Sequence, residues 1–295
     1  MEKDLAASEQ TPKRSARESG APEIVFSDMD GTFLTSDKRV TDVNWRALDA
    51  LAERGIPFVI CTARAENALP GDIAAHPATR YAVCANGAYT IDLARGERVG
   101  AVGIPSECVL ALYEICESLD AICDLFADGV AYTRRDLFAR LEEFVPDPVQ
   151  RKIVTDTRIV TDLRVPELVG SATWLDRVTV FWRTEEARDA VVAYAEEHPE
   201  ITWTSSYDTA IEITSSAATK GSALSRLCGR LGIGVAGAFA FGDHLNDVSM
   251  IEEAGTGVAM ANAIPEAKAA ANALAASCDE SGEGRFILES LDLEA

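Results

Sequence analysis

The chain has 295 residues, 47% of them hydrophobic and 25% charged, so it can bury a core for one large domain or two moderate ones. Its 48 acidic residues outnumber its 27 basic ones, and the net charge of −21 argues against a nucleic-acid partner, because such binding needs a basic face. No apolar stretch approaches the length that spans a bilayer, so no membrane partner is expected.

The N-terminal segment and the cysteines indicate the setting of the protein. Residues 1–21 are polar and of mixed charge, which predicts a disordered tail and lacks the apolar core of a signal peptide. The 7 cysteines form no Cys-x-x-Cys motif, so neither a disulfide framework nor a zinc site is expected. A reducing, cytoplasmic location is the prediction.

From residue 22 the sequence alternates between short apolar runs and amphipathic segments. A helix is predicted over Asp42–Arg54, and strands are predicted at Ile24–Ser27, Pro57–Cys61 and Tyr81–Ala85. This alternation favours a parallel sheet with crossover helices. The predicted fold class is therefore α/β, with a doubly wound parallel sheet.

The pattern changes after the turn signal Asn86-Gly87. A hairpin is predicted over 89–102, followed by elements at Ser106–Leu119, Val178–Trp182 and Glu185–Glu197. The charged stretch 136–175 contains three prolines and is expected to be rich in loops. We therefore predict an inserted second domain over 90–200.

The α/β alternation resumes at Lys220. Predicted elements follow at Ala238–Phe241, Asp247–Glu253, Gly257–Met260 and Pro265–Ala276, the last being an alanine-rich helix that opens with proline. The core is thus predicted to comprise 22–89 and 201–295.

Asp28 and Asp30 follow the first apolar run, and Gly31 then allows a sharp turn. Ligands of open α/β sheets bind at the carboxyl ends of strands, so two carboxylates there can bind a hard cation, attack an electrophile and transfer a proton. The alternative is an ordinary acidic turn.

Two further segments place polar groups beside the same sheet edge. Thr62, in Thr62-Ala63-Arg64, could donate to a phosphate oxygen, although it could also be a simple N-cap. Lys220 lies four residues before Leu224 and shares its inward helix face, which predicts an anionic partner. The alternative is a lysine that extends past the helix end to solvent.

A second acidic pair, Asp243 and Asp247, follows the strand predicted at Ala238–Phe241. Carboxylate oxygens suit Mg²⁺, which needs only a few of them together with water and a substrate phosphate. His244, between them, is interpreted as a surface histidine or a substrate contact.

In chain order, the segments that begin at Asp28, Thr62, Lys220 and Gly242 resemble the four motifs of the haloacid dehalogenase-like (HAD) superfamily. Residues 254–263 and Asn86-Gly87 resemble its Cof-like branch, which has a type IIB cap. The resemblance implies a HAD-like core, an inserted α/β cap over 90–200 that sets substrate specificity, and phosphatase activity on sugar phosphates or similar small phosphometabolites.

The resemblance also implies roles for individual residues. Asp28 would be the nucleophile that forms a phospho-aspartate, and Asp30 would be the general acid and base. The substrate phosphate would contact Thr62, Ala63, Arg64, Asn86, Gly87, Lys220 and Asn246. Mg²⁺ would be held by Asp28, the Asp30 backbone carbonyl and Asp243, with Asp247 acting through water or orienting Lys220.

Two alternative functions remain at this level: a phosphomutase of the same superfamily, and a phospho-accepting signalling domain. Pyridoxal and flavin phosphates are alternatives to the sugar phosphates that the resemblance implies. Arg134, Arg135, Arg183 and His244 could contact the substrate, although exposed arginines are usually only solvated. The oligomeric state is not readable either.

Overall fold

The structure is a computed structural model and describes residues 15–207 and 209–294. The strands are β1 Ile24–Ser27, β2 Phe58–Cys61, β3 Thr79–Cys84, β4 Tyr89–Asp92, β5 Glu97–Ala101, β6 Ile122–Ala127, β7 Val130–Arg134, β8 Arg158–Thr161, β9 Leu175–Phe181, β10 Ile201–Tyr207, β11 Ala210–Ser215, β12 Ala238–Gly242, β13 Thr256–Met260 and β14 Ala273–Ala275. The helices are α1 Ala16–Ser19, α2 Asp42–Glu53, α3 Gly71–Ala74, α4 Ser106–Ser118, α5 Arg135–Phe138, α6 Leu141–Phe144, α7 Pro148–Thr157, α8 Val165–Ser171, α9 Glu185–Glu197, α10 Lys220–Leu231, α11 Val248–Glu253, α12 Pro265–Ala270 and α13 Gly282–Ser290.

An eight-stranded sheet forms the core, in the order β14-β13-β12-β1-β2-β3-β4-β5. The strands from β14 to β3 are parallel, and the hairpin of β4 and β5 adds an antiparallel edge. The central strand β1 is buried on both faces, as its apolar run requires. The α/β fold class predicted from the sequence is confirmed.

Helices cover both faces of this sheet. On one face, Val25 and Ile60 join an apolar cluster with Leu48 of α2. On the other, Ile24 and Val59 pack with residues of α10. Alternate residues of each strand therefore pack into separate apolar cores on the two faces of the sheet, which is the doubly wound arrangement.

A six-stranded sheet forms the second unit, in the order β10-β11-β9-β6-β7-β8. Its pairs are antiparallel, with the exception of β7 and β8. The helices α4 and α9 contact each other and share an apolar cluster with one face of this sheet. Its other face carries Arg177 and Phe126 toward the core unit.

The predicted domain boundaries, 22–89 with 201–295 and 90–200, differ from the sheets observed. The hairpin of β4 and β5 belongs to the core sheet, because β4 continues it antiparallel to β3. The hairpin of β10 and β11 belongs to the second sheet, because β11 pairs with β9. Both boundaries of the inserted unit therefore lie later in the chain than the sequence pattern suggested.

The stretch 136–175 was predicted to be rich in loops, and this was wrong. It contains four helices and β8. Pro148 occupies the first turn of α7, after an Asp147 side chain that accepts from Gln150 N, and Pro166 occupies the first turn of α8. Proline is favourable at these positions, because the first helical N–H groups have no intrahelical partner.

The helix predicted at Pro265–Ala276 was wrong in its second half. Helix α12 ends at Ala270, and β14 then pairs in parallel with β13. The partner of Ala273 across the ladder is Val258. Alanine has high helix propensity, but backbone pairing at the sheet edge outweighs that weak preference here.

The predicted tail over 1–21 lies mostly outside the described residues. Its described part includes α1, where Ala16 is buried in the core cluster and α1 contacts α13. Order therefore begins before residue 22.

All seven cysteines are free and buried. Within the described part of the chain, no helix combines the length and apolar character needed to cross a membrane.

Gly87 allows the β3–β4 connection to approach the start of α10. It has a φ of +101°, and a Cβ there would overlap the carbonyl oxygen of Thr219. Gly96 offers a matched control, because it has a φ of +64° with open space around its Cβ position.

We expect Gly87→Ala to lower the melting temperature well beyond Gly96→Ala. Both substitutions carry the left-handed backbone cost of about 1–2 kcal/mol, but only Gly87→Ala adds a clash with rigid backbone. Thermal unfolding of the two variants measures the difference, and equal shifts would contradict a tight contact at Gly87.

Candidate active site

Three adjacent strands of the core sheet bring polar residues to one edge. Asp28 follows β1, Thr62 follows β2 and Asp243 follows β12, and the sheet order is β12-β1-β2. Parallel strands end at the same edge, so residues far apart in sequence converge there. This convergence is the arrangement that the motifs predicted.

Lys220, the first residue of α10, lies beneath this edge with an exposed fraction of 0%. Its Nζ donates to Asp28 Oδ1 at 2.7 Å and to Asp247 Oδ1 at 2.6 Å. Burial by itself lowers the pKa of Lys220, but the two carboxylates more than compensate, and the pKa is raised. The lysine is therefore a buried cation, and the solvent-directed alternative was wrong.

The carboxylates outnumber this cation. Ligand oxygens of Asp28, Asp243 and Asp247 lie within 4.8 Å of one another. Burial raises the pKa of Asp28 well above its usual range, and neighbouring carboxylates add to the effect. Burial and Asp247 raise the pKa of Asp243 to about 7. A hard cation that prefers oxygen ligands fits this donor set.

Hydrogen bonds and one close approach hold both the backbone and the side chain of Asp243 in place. Asp247 Oδ2 accepts from the backbone N–H groups of Asp243 and His244, both at 2.9 Å. Thr32 Oγ1 donates to Asp243 Oδ1 at 3.1 Å. A Cβ on Gly31, which has a φ of +94°, would lie 2.5 Å from Asp243 Oδ2, so only glycine allows this approach.

The Asp30 carboxylate points away from the acidic cluster, toward two cations. Arg64 donates from Nε and Nη2 to its two oxygens at 3.0 and 2.8 Å, and Lys38 Nζ lies 2.9 Å from Oδ1. Burial raises the pKa of Asp30, but Arg64 and Lys38 outweigh it and the net shift is downward. The side chain of Asp30 is thus separate from the three clustered carboxylates.

The predicted phosphate-binding residues fall into two groups. Thr62, Ala63, Arg64 and Asn246 line a cleft of about 250 Å³ that also exposes Asp28, Asp30 and Asp243. Asn86, Gly87 and the fully buried Lys220 lie outside that lining. Asn86 instead connects the two units, since its Nδ2 donates to Glu212 Oε2 at 2.7 Å and its Oδ1 accepts from Asn246 at 3.1 Å.

The second sheet supplies the opposite wall of the cleft, which motif reasoning missed. The missed lining residues of the second unit are Phe126, Ile153, Val154, Thr157, Arg158, Arg177, Thr179, Phe181 and Glu212, and those of the core unit are Lys38, Ala65 and Ala68. The alternation of Arg177, Thr179 and Phe181 along one strand was the available signal. His244 lines the cleft and is half-buried, so it is not a simple surface histidine.

The three arginines suggested as substrate contacts lie elsewhere. Arg134 pairs with Asp136 and Glu117, Arg135 with Asp162, and Arg183 with Asp120 and Glu143. The lining of the cleft does not include them.

A buried carboxyl behind Asp28 was also missed. Glu283 of α13 has an exposed fraction of 0%, and Ser27 Oγ lies 2.7 Å from both Glu283 Oε2 and the Asp28 carbonyl oxygen. One hydroxyl hydrogen cannot serve both contacts. Burial raises the pKa of Glu283 well above its usual range, so a protonated Glu283 can donate to Ser27, which then donates to Asp28.

The site thus defines a class of protein: an α/β enzyme with a carboxylate and lysine centre at the carboxyl ends of its strands. The sequence profile described as haloacid dehalogenase-like hydrolase matches residues 25–287, and the chain belongs to that family. It is an enzyme of the phosphatase type.

Individual relatives agree with this family. YxeH of Bacillus subtilis is 30% identical over 275 residues, which cover 90% of this chain and 97% of that protein. The pyridoxal phosphate phosphatase YbhA of Escherichia coli is 27% identical, covering 91% and 98%. A solved haloacid dehalogenase-like hydrolase from B. subtilis has a TM-score of 0.77 at 28% identity, covering 90% of this chain and 98% of that one.

Glu283 generates a prediction about stability and pH. A carboxyl whose pKa is raised on folding binds its proton more tightly in the folded state, so stability falls as pH rises past the unfolded pKa of about 4.3. Glu283→Gln keeps a neutral donor to Ser27 without this penalty. We expect its melting temperature to exceed that of the wild type at pH 8, with a smaller difference at pH 5.

Glu289→Gln is the matched control, because Glu289 lies on the exposed side of the same helix. Its difference from the wild type should not grow with pH. A Glu283→Gln difference that is constant between pH 5 and pH 8 would contradict a neutral Glu283.

Proposed function

We propose that the protein is a Mg²⁺-dependent phosphomonoester hydrolase that acts on small phosphorylated metabolites, sugar phosphates among them, through a phospho-aspartate on Asp28. The observation that carries the proposal is the buried contact between Lys220 and Asp28 at the floor of the cleft. A carboxylate held there by a fixed cation can attack a phosphorus atom that the cleft presents to it.

In the first step, Asp28 attacks phosphorus while the bond from phosphorus to the ester oxygen breaks. Lys220 donates a hydrogen bond to Oδ1 of Asp28, so Oδ2 would be the oxygen that attacks phosphorus. A carboxylate repels a phosphate dianion, and the buried charge of Lys220 offsets part of that repulsion. Because α10 fixes Lys220 in place, little reorganisation is needed during the reaction.

The remaining negative charge calls for a divalent cation, for which the three clustered carboxylates provide oxygen ligands. When bound there, Mg²⁺ would neutralise charge on the transferring phosphoryl group. Asp28 and Asp243 would hold it directly together with the Asp30 backbone carbonyl. Asp247 would orient Lys220 and the Asp243 backbone, as its contacts support.

Asp30 would protonate the leaving oxygen and then take a proton from the water that hydrolyses the phospho-aspartate. The lowered pKa of Asp30 favours its ionised form, which is the form needed to take a proton from the hydrolytic water in the second step. The first step needs the protonated form. A substrate phosphate that draws Arg64 and Lys38 toward itself would remove the cause of the lowered pKa and so favour protonation.

The proposal is tested by phosphate release from a panel of phosphomonoesters, with Mg²⁺ and with excess chelator. We expect release to require Mg²⁺ and to fall by at least a hundredfold in Asp28→Asn, because the amide is a poor nucleophile. Asp189→Asn, on the exposed face of α9, is the control and should keep full activity. Full activity in Asp28→Asn would overturn the nucleophile assignment.

We expect Lys220→Met to lower the rate by about a hundredfold or more at saturating substrate, because it removes the fixed charge beside the attacking carboxylate. Methionine retains an unbranched chain of similar length, but it leaves the buried carboxylates of Asp28 and Asp247 without their cation, so the folding of the variant must be checked. Steady-state kinetics with a circular dichroism check on folding measures the effect. A rate near that of the wild type would contradict the electrostatic role of Lys220.

A further inference from the structure

The peptide group that follows Asp28 lies just beyond the ladder of the core sheet. Strand β1 pairs with both of its neighbours up to Ser27, and Asp28 N–H still donates to the Phe241 carbonyl oxygen at 3.0 Å. The Asp28 carbonyl oxygen accepts from Phe33 N–H at 3.3 Å, and its shortest contact, at 2.7 Å, is with Ser27 Oγ. The orientation of this peptide group therefore depends on the Ser27 hydroxyl.

Glu283 controls the direction in which the Ser27 hydroxyl hydrogen points. Its Oε2 lies 2.7 Å from Ser27 Oγ, and its side chain is completely buried. A carboxylate at this position would accept from Ser27 and draw the hydrogen away from Asp28. A carboxylic acid would instead donate to Ser27 and leave that hydrogen for the Asp28 carbonyl oxygen.

The surroundings of Glu283 favour the acid. Within the described part of the chain, the groups that act on this carboxyl are the Ser27 hydroxyl and the Asp28 carboxylate, and neither is a cation. The start of a helix favours a carboxylate weakly, but a buried carboxylate without a cation is far more costly. The hydrogen bonds therefore run from Glu283 to Ser27 and from Ser27 to the Asp28 carbonyl oxygen.

The first turn of α13 packs closely enough to hold Glu283 at this distance. Glycines flank Glu283 on both sides, and a Cβ on Gly282 would overlap the backbone before the helix, whereas one on Gly284 would overlap Asn44 of α2. Gly284 N–H also donates to Asn44 Oδ1 at 3.1 Å. Because this turn is fixed against α2, Glu283 has little freedom to withdraw from Ser27.

We propose that Glu283 and Ser27 are positioning residues for the nucleophile: Glu283 donates to Ser27, and Ser27 thereby holds the Asp28 carbonyl oxygen in place. This inference rests on the proposed phosphatase function, in which Asp28 attacks phosphorus. The lining of the cleft includes neither Glu283 nor Ser27, so both act through Asp28 and not on the substrate. Alignment of the attacking carboxylate is what they contribute, and a small misplacement of a reacting group lowers the rate by a large factor.

Single-turnover kinetics with the best ester of the panel tests this role, because it gives the maximal rate of ester cleavage and the half-saturating concentration separately. We expect Ser27→Ala to lower the maximal rate by about tenfold, the size of one well-formed hydrogen bond, and to leave the half-saturating concentration within about threefold. Ser290→Ala is the matched control, because Ser290 is a buried serine of α13 whose hydroxyl donates to the Ile287 carbonyl oxygen. It should change neither quantity.

Two substitutions of Glu283 separate positioning from packing. Glu283→Gln keeps a donor to Ser27 and should keep the maximal rate within about twofold of the wild type, whereas Glu283→Met keeps an unbranched chain without a donor and should lower that rate by about fivefold. In the Ser27→Ala background the two substitutions should give equal rates, because Glu283 acts only through the Ser27 hydroxyl. A side chain that only fills space would cause the same loss in both backgrounds.

The outcomes separate this inference from the function on which it rests. No phosphate release by the wild type from any ester would overturn the phosphatase proposal and the positioning role with it. Release by the wild type with an unchanged maximal rate in Ser27→Ala would overturn the positioning role alone, as would equal rates for Glu283→Gln and Glu283→Met or a Glu283→Met loss that persists in the Ser27→Ala background. Thermal unfolding checks the folding of each variant, and the Glu283→Gln and Glu283→Met pair decides the matter if Ser27→Ala does not fold.

Discussion

The buried contact of Lys220 with Asp28 and Asp247 is the interaction on which the rest of the site depends. Moving a lysine and two carboxylates out of water is costly, and their attraction offsets that cost only when the geometry is good. Here Nζ reaches both carboxylates within 2.7 Å. The fold provides this geometry by starting α10 at Lys220, where Gly87 lets the chain before β4 approach closely.

Much of the core could be predicted from the sequence, because local signals and tertiary packing agree there. The run Ile24–Ser27 is buried on both faces, and the Thr219 hydroxyl accepts from Ser222 N where α10 begins. The predictions failed where a local signal has two physical outcomes. Pro148 can interrupt a helix or begin one, and the alanines near residue 273 suit a helix as well as a small edge strand.

The candidate site also has one part that could be predicted from the sequence and one part that could not. Asp28, Thr62 and Asp243 each follow a strand that is readable from a short apolar run, so their convergence could be predicted. The opposite wall could not, because it depends on the register between β9, β6 and β11, which pair over long sequence separations. The role of Glu283 could not be predicted for a related reason, because only the packing of α13 against the sheet brings it to Ser27.

A chain of polar contacts joins this wall to the core side of the cleft. Arg177 donates to Glu212, Asn86 donates to the other oxygen of Glu212, and Asn246 donates to Asn86. Glu212 lies on β11 of the second sheet and Asn86 in the core unit, and both side chains are buried, so the hydrogen bond between them joins the two units. A hydrogen bond to a charged group in such a low-dielectric setting is stronger than one in water. The position of the wall relative to Asp28 is therefore specified by polar contacts, and the space left for a leaving group follows from them.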